Sequence, residues 1–218
     1  MKAIIQYHHG TEIIVNEDTI FYANYDTELI YEYYGKPVLY FYPTEETEIS
    51  VKLINSDRIT TSYPKYPENG WRVLARPNGI LTDLSTNRTL YCLYYESKAI
   101  RDNDVYKDGF IVEGENISKF LEEKLSILGL NEREAEEFII YWLPKLEANK
   151  YNYIRFAEEK HINDNMALEI NPKPDTLIRV IMEFKGLDEP IDVKEQILTP
   201  RQRRGYTVVE WGATEILH

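Results

Sequence analysis

The sequence predicts an α+β fold, mainly antiparallel β and sandwich-like, with an inserted helical hairpin. Three observations carry that reading. Most of the chain falls into short apolar or alternating runs separated by Pro, Gly and Asn turns, the pattern of half-buried strands. One stretch alone, GENISKFLEEKLSILGLNEREAEEFIIYWLPKL from Gly114 to Leu146, repeats its apolar residues with a helical period. Strands come in runs before and after it, rather than alternating with helices as in a βαβ series.

The elements follow in chain order. Residues 3 to 33 alternate in four bursts, Ala3 to Tyr7, Glu12 to Val15, Thr19 to Tyr22 and Glu28 to Tyr33, with Gly10 and Asn16 at turns. They predict a small antiparallel meander, a subregion of residues 1–35 inside a single domain of 1–218. His8 and His9 sit at its first turn, where the local sequence offers no further metal ligands. Lys36 to Pro43, KPVLYFYP, and the alternating run Glu48 to Ile54 are expected to pair as central strands. Trp71 to Ala75 and Ile80 to Leu84 flank Arg76-Pro77-Asn78-Gly79, a hairpin signal because Asn-Gly adopts positive φ readily. Leu90 to Glu96, LYCLYYE, reads as a further strand.

In the first helix Ile117, Phe120, Leu121, Leu125 and Leu128 form one apolar face, with Asn116 as expected N-cap and Gly129 as expected C-cap. Asn131 opens the second helix with Glu134 at capping-box spacing, and Ala135, Phe138, Ile139, Trp142 and Leu143 form its buried stripe. Pro144 lacks an N–H and disfavours helix before it, so the hairpin is expected over 116–143. Tyr151 to Phe156, Ala167 to Ile170, Thr176 to Phe184 and Tyr206 to Trp211 then read as strands. Around Val193 to Leu198 a short turn of structure is expected.

Composition excludes several function classes. A formal net charge of −12 argues against a phosphate-backbone partner, so no nucleic acid is expected. Arg201, Arg203 and Arg204 are the only basic cluster, and they read as a solvated loop tip. The single cysteine, Cys92, sits in an apolar strand, away from the electropositive, exposed setting that a nucleophilic thiol needs. The amino terminus has neither a signal-peptide pattern nor a membrane span, so no membrane partner and a cytoplasmic location are the expectations. No Gly-rich phosphate loop, Ser nucleophile elbow or metal-spaced His pair appears, and no cofactor is expected.

Three constellations remain. From Asp104 the register places Asp at positions one and five (Asp104, Asp108), Gly109 at six and Glu115 at twelve, as in a calcium loop. Tyr106 occupies a ligand position there and the preceding segment is a strand, so an acidic turn leading into a helix is the simpler reading. Glu96 and Glu210 each lie at the end of an apolar strand, where desolvation raises a carboxyl pKa as acid/base work requires. Arg179, inside the apolar strand TLIRVIMEF, needs a carboxylate partner if buried, and a structural ion pair is the simpler account of it. Last, the chain holds 18 Tyr and 3 Trp. Tyr and Trp fill sheets, but they also dominate recognition surfaces, sugar-stacking ones included, because each joins a large rigid area to a polar handle.

Several of these segments resemble an uncharacterised protein family whose members carry K-P-V-x-Y-x-Y-P, W-x-V-x-A-x-P-x-G, Y-L-F-W-E, Y-W-L-P, R-V-x-M and V-E-W-G-G. The matching stretches are Lys36 to Pro43, Trp71 to Gly79, Leu90 to Glu96 in altered form, Tyr141 to Pro144, Arg179 to Met182 and Val209 to Gly212. Tyr94-Tyr95 replaces Phe-Trp before Glu96, and Ala213 replaces the second Gly. The resemblance implies no substrate. The reading is therefore a binding or interaction protein with an aromatic and acidic surface patch near Tyr40, Tyr42, Trp71, Glu96 and Trp211, its partner a protein, a small molecule or a carbohydrate. The alternatives are a hydrolase-like enzyme using Glu96, Glu210 and Arg179, and a calcium-binding module.

Overall fold

The computed structural model describes residues 4–8, 11–16, 19–24, 31–100 and 106–216, in two compact units divided after Ile30. In the first unit β1 (Ile4–His8), β2 (Thr11–Asn16) and β3 (Thr19–Asn24) form an antiparallel meander. His9 and Gly10 lie outside the described residues.

The second unit is built on a seven-stranded sheet. Its strands are β4 (Tyr31–Tyr42), β6 (Ile59–Tyr63), β10 (Leu93–Ile100), β11 (Phe110–Glu113), β12 (Tyr151–Phe156), β14 (Thr176–Leu187) and β15 (Thr207–Glu215). Their order is β11-β12-β14-β15-β4-β10-β6, antiparallel throughout except for the β14/β15 pair. A five-stranded sheet, β13-β5-β7-β8-β9, uses β5 (Thr47–Leu53), β7 (Trp71–Ala75), β8 (Leu81–Asp83), β9 (Thr89–Leu90) and β13 (Leu168–Asn171).

Both faces of the central strands are covered, which is why KPVLYFYP is almost continuously apolar. Val38 and Tyr40 of β4, Val209 and Trp211 of β15, and Ile178, Val180, Met182 and Phe184 of β14 pack against the helical pair. The alternate residues Leu39, Phe41 and Val208 pack against Ile49, Val51, Trp71 and Val73 of the five-stranded sheet. Three layers result: helices, large sheet, small sheet. The expected pairing of Lys36–Pro43 with the Glu48–Ile54 run does not occur, because β4 and β5 lie in different sheets. Local alternation identifies a buried face without saying which sheet receives it.

The helical pair is α1 (Ile117–Ile127) and α2 (Glu132–Glu147). Asn116 stands at the N-cap of α1 as expected, but its side chain makes no capping bond: a 3₁₀ turn over Gly114–Asn116 leads in, and the Asn116 side chain donates to Glu113 at 2.9 Å. Helix α2 does carry the capping box, with Glu134 N–H on the Asn131 side chain and Asn131 N–H on the Glu134 carboxylate, both at 2.9 Å. It also runs past Pro144 to Glu147 instead of stopping at Leu143. The carbonyl that Pro144 deprives of a partner belongs to Ile140, which is 66% exposed, so water can satisfy it.

Arg203 corrects the picture of a solvated basic tip. Its guanidinium makes two bonds, of 2.7 and 3.2 Å, to the buried Glu134 carboxylate and stacks 4.7 Å from the Tyr42 ring. The arginine thus ties the loop before β15 to the start of α2. A further helix, α3 (Glu159–Asn165), was not apparent in the sequence; its Ile162 packs with Ala99 and Ile181. Among the described residues no helix is long and apolar enough to cross a membrane.

Candidate functional site

The structure divides the residues singled out by sequence. Arg179 and Glu210 are buried side by side on β14 and β15 at paired positions, the Arg179 Nε–H donating to Glu210 Oε2. The Tyr95 hydroxyl donates to the other carboxylate oxygen at 2.6 Å, and Asn163 of α3 accepts from Arg179 at 2.8 Å. Both charged side chains are buried, the setting of an ion pair that belongs to the fold.

Glu96 is not part of that group. Tyr95 turns toward Glu210 and the small-sheet side, and Tyr94, one residue back, packs with the helix-side core. Burial first, and then the Glu96 carboxylate, push the Tyr94 hydroxyl above its ordinary range, which puts Glu96 beside Tyr94. The two carboxylates therefore belong to opposite faces of the sheet.

The aromatic candidates also separate. Trp71 is buried in the small-sheet core, its indole N–H donating to the Pro64 carbonyl at 2.9 Å with Tyr66 edge-on at 4.8 Å. Trp211 is buried in the helix-side core against Phe138 at 5.3 Å. The large sheet stands between them, and neither indole reaches the surface. Tyr40 is buried as well, its hydroxyl donating to Glu137 at 2.6 Å. Tyr42 lies under Arg203 and is half-buried.

Of the calcium-loop positions, Asp104 lies outside the described residues. Asp108 accepts from Arg155 Nε at 3.0 Å, and Phe110–Glu113 form β11, paired with β12, where a loop would have to curl around an ion. Among the described residues no three His, Cys, Asp or Glu side chains cluster to hold a metal.

What the fold does assemble is a groove of about 500 Å³ where the helical pair ends and the β10–β6 side of the sheet continues. Lys36 and Val38 come from β4, Tyr94 from β10, Tyr63 from the end of β6, Leu90 from the end of β9, Tyr91 and Cys92 from the β9–β10 link, and Tyr141 from α2. Tyr63, Tyr91 and Tyr141 are 50, 48 and 43% exposed, although most large aromatics among the described residues are buried. Two of the rings are held by arginines. Arg88 donates to the Tyr63 hydroxyl at 3.0 Å, and the Arg133 guanidinium lies 4.8 Å from the Tyr91 ring. Arg133 is itself fixed by Glu137 at 2.9 Å, the carboxylate that takes the Tyr40 proton donor. Cys92 is half-buried in the floor. Burial, and next the Glu137 charge, push its thiol up to about 12, so it is a neutral apolar group at physiological pH.

The groove was partly readable: Tyr63, Tyr91 and Tyr94 stand in tyrosine-rich segments, and Tyr141 and Lys36 in the motif stretches. Their convergence depends on pairing partners that local patterns do not specify. No protein-family model, curated protein or solved structure matches the chain.

Proposed function

We propose that the protein is a binding module whose ligand site is the tyrosine groove between α2 and the β9–β10 link, and that its ligand presents a flat ring, a sugar or an aromatic group. One observation carries the reading: three half-exposed tyrosines and the partly buried Tyr94, drawn from four separate segments, meet around one groove of about 500 Å³. That volume lies in the range of small-molecule sites. Rigid rings with a polar tip give contact area at small entropic cost and leave hydroxyls to fix orientation. The surface patch of the sequence reading thus shifts from Tyr40, Trp71 and Trp211, which hold the cores, to Tyr63, Tyr91, Tyr94 and Tyr141. The resemblance to an uncharacterised family fits the same reading, because the segments that carry it supply Lys36, Tyr94 and Tyr141.

The test is a ligand-observed NMR screen of soluble sugars and small aromatic compounds against the native protein, Tyr91→Ala and Tyr141→Ala. Hits are expected with the native protein and are weakened at least fivefold by either substitution. Hits that bind both variants as well as the native chain would place recognition elsewhere.

A further inference from the structure

Among the described residues Lys36 is the one cation that lines this groove, and the backbone is distorted where it stands. Between the Val38↔Trp211 and Gly35↔Ala213 pairs, β4 has two residues, Lys36 and Pro37, opposite the single Gly212 of β15. On the β10 side three residues of β4, 35 to 37, interrupt the pairing. Such bulges re-aim side chains. Lys36 itself takes a left-handed conformation, φ 53°, which disfavours any residue with a Cβ. Close packing holds the distortion in place: a Cβ on Gly212 would sit 3.2 Å from Pro37 Cα, and one on Gly35 2.9 Å from the Trp142 ring.

The bulge delivers the Lys36 ammonium to a point 4.0 Å from the Tyr141 ring centroid and 5.7 Å from that of Trp211. The residue is half-buried. Among the described residues, no carboxylate lies within ion-pair distance of it, although the chain carries 37 acidic residues against 25 basic ones. Two carboxylates stand near the groove's walls: Glu137 is already engaged by Arg133 and Tyr40, and Glu96 lies beside Tyr94. Ring faces attract a cation but accept little of its hydrogen bonding, so the ammonium keeps donors to offer into the groove. Arg88, at the Tyr63 end, adds a second positive charge.

We infer that Lys36 selects ligands carrying an anionic substituent on the ring, a carboxylate above all, with the tyrosines holding the ring and the ammonium the acid. The inference rests on the tyrosine-groove reading and adds the charge of the ligand to it. Phenylacetate and phenethyl alcohol, similar in size and differing in charge, are the probes, titrated by NMR into the native protein, Lys36→Met, Lys36→Arg and Tyr91→Ala.

The native protein is expected to bind the acid about tenfold more tightly than the alcohol, a charge-assisted bond being worth that much. Lys36→Met should abolish the preference by weakening the acid far more than the alcohol, and Lys36→Arg should restore part of it. Tyr91→Ala should weaken both probes. Equal affinity for acid and alcohol, or a preference that survives Lys36→Met, would overturn the role of Lys36 and leave the groove reading standing. Failure of both probes to bind, or binding indifferent to Tyr91→Ala, would remove the groove reading and this inference with it. Should Lys36→Met not fold, Lys36→Gln and the loss of preference at high salt read the same point.

Discussion

At the scale of single residues, Asp83 shows how a buried charge is held by the turn that follows it. Asp83 ends β8 with its carboxylate turned inward, accepting from the Ser85 hydroxyl at 2.8 Å, from the Ser85 and Thr86 N–H groups at 3.3 and 3.2 Å, and from the Thr86 hydroxyl. Burial pushes the Asp83 pKa up, but the Thr86 and Ser85 donors outweigh it and hold the carboxyl below its ordinary value. A lowered carboxyl pKa contributes stability above the unfolded value, near 4, and that contribution fades as pH falls through the folded value. Asp83→Ala is therefore expected to cost about 2 kcal/mol at pH 7. In urea melts the gap between the two proteins should narrow steadily below about pH 4. A gap constant down to pH 2 would mean that the Asp83 charge is not what the turn requires.

At the scale of elements, the start of α2 is a junction of three parts. Glu134 completes the capping box, receives Arg203 from the loop before β15, and lies near Tyr42 of β4. Removing either partner alone leaves a buried charge or an open helix end. Glu134→Ala is expected to lose about 3 kcal/mol, and Asn131→Ala only the ordinary cap contribution of about 1 kcal/mol. A double-mutant cycle of Glu134→Ala with Arg203→Ala, read by thermal melting, should return a coupling above about 1 kcal/mol. Additivity would show that the two side chains stabilise the protein independently.

At the scale of the whole molecule, core and groove make opposite demands on similar side chains. Trp211 is wholly buried among Tyr40, Phe138 and the helical pair, and Trp211→Ala is expected to cost about 3–5 kcal/mol. Tyr91 and Tyr63 lean outward, and their alanine variants should melt within about 1 kcal/mol of the native protein. Calorimetry on the three variants separates the two classes. A Tyr91→Ala protein as damaged as Trp211→Ala would mark the groove as architecture.

The sequence was most legible where one element decides its own form. The capping box at Asn131 and Glu134, the stripe of Phe138 and Trp142, and the alternation of β5 all appear in the structure. It was least legible where the answer depends on a distant partner. β4 and β5 were expected to pair but enter different sheets, and β6, short and half-exposed, has too few apolar residues to signal a strand. α3, seven residues long, has too few turns to show a period. The site followed the same rule. Tyr40, Trp71 and Trp211 were conspicuous as aromatics in strong strands, and strong strands bury their aromatics. Tyr63, Tyr91 and Tyr141 stand in a strand end, a link and a helix near a proline, where a ring has nowhere inward to go.

The most direct measurement is a crystal of the native protein soaked in turn with small ring compounds, acidic and neutral. The account predicts density between Tyr91 and Tyr141, with the acidic groups turned toward Lys36 Nζ. Compounds ordered elsewhere on the molecule, with this groove empty in every soak, would contradict it.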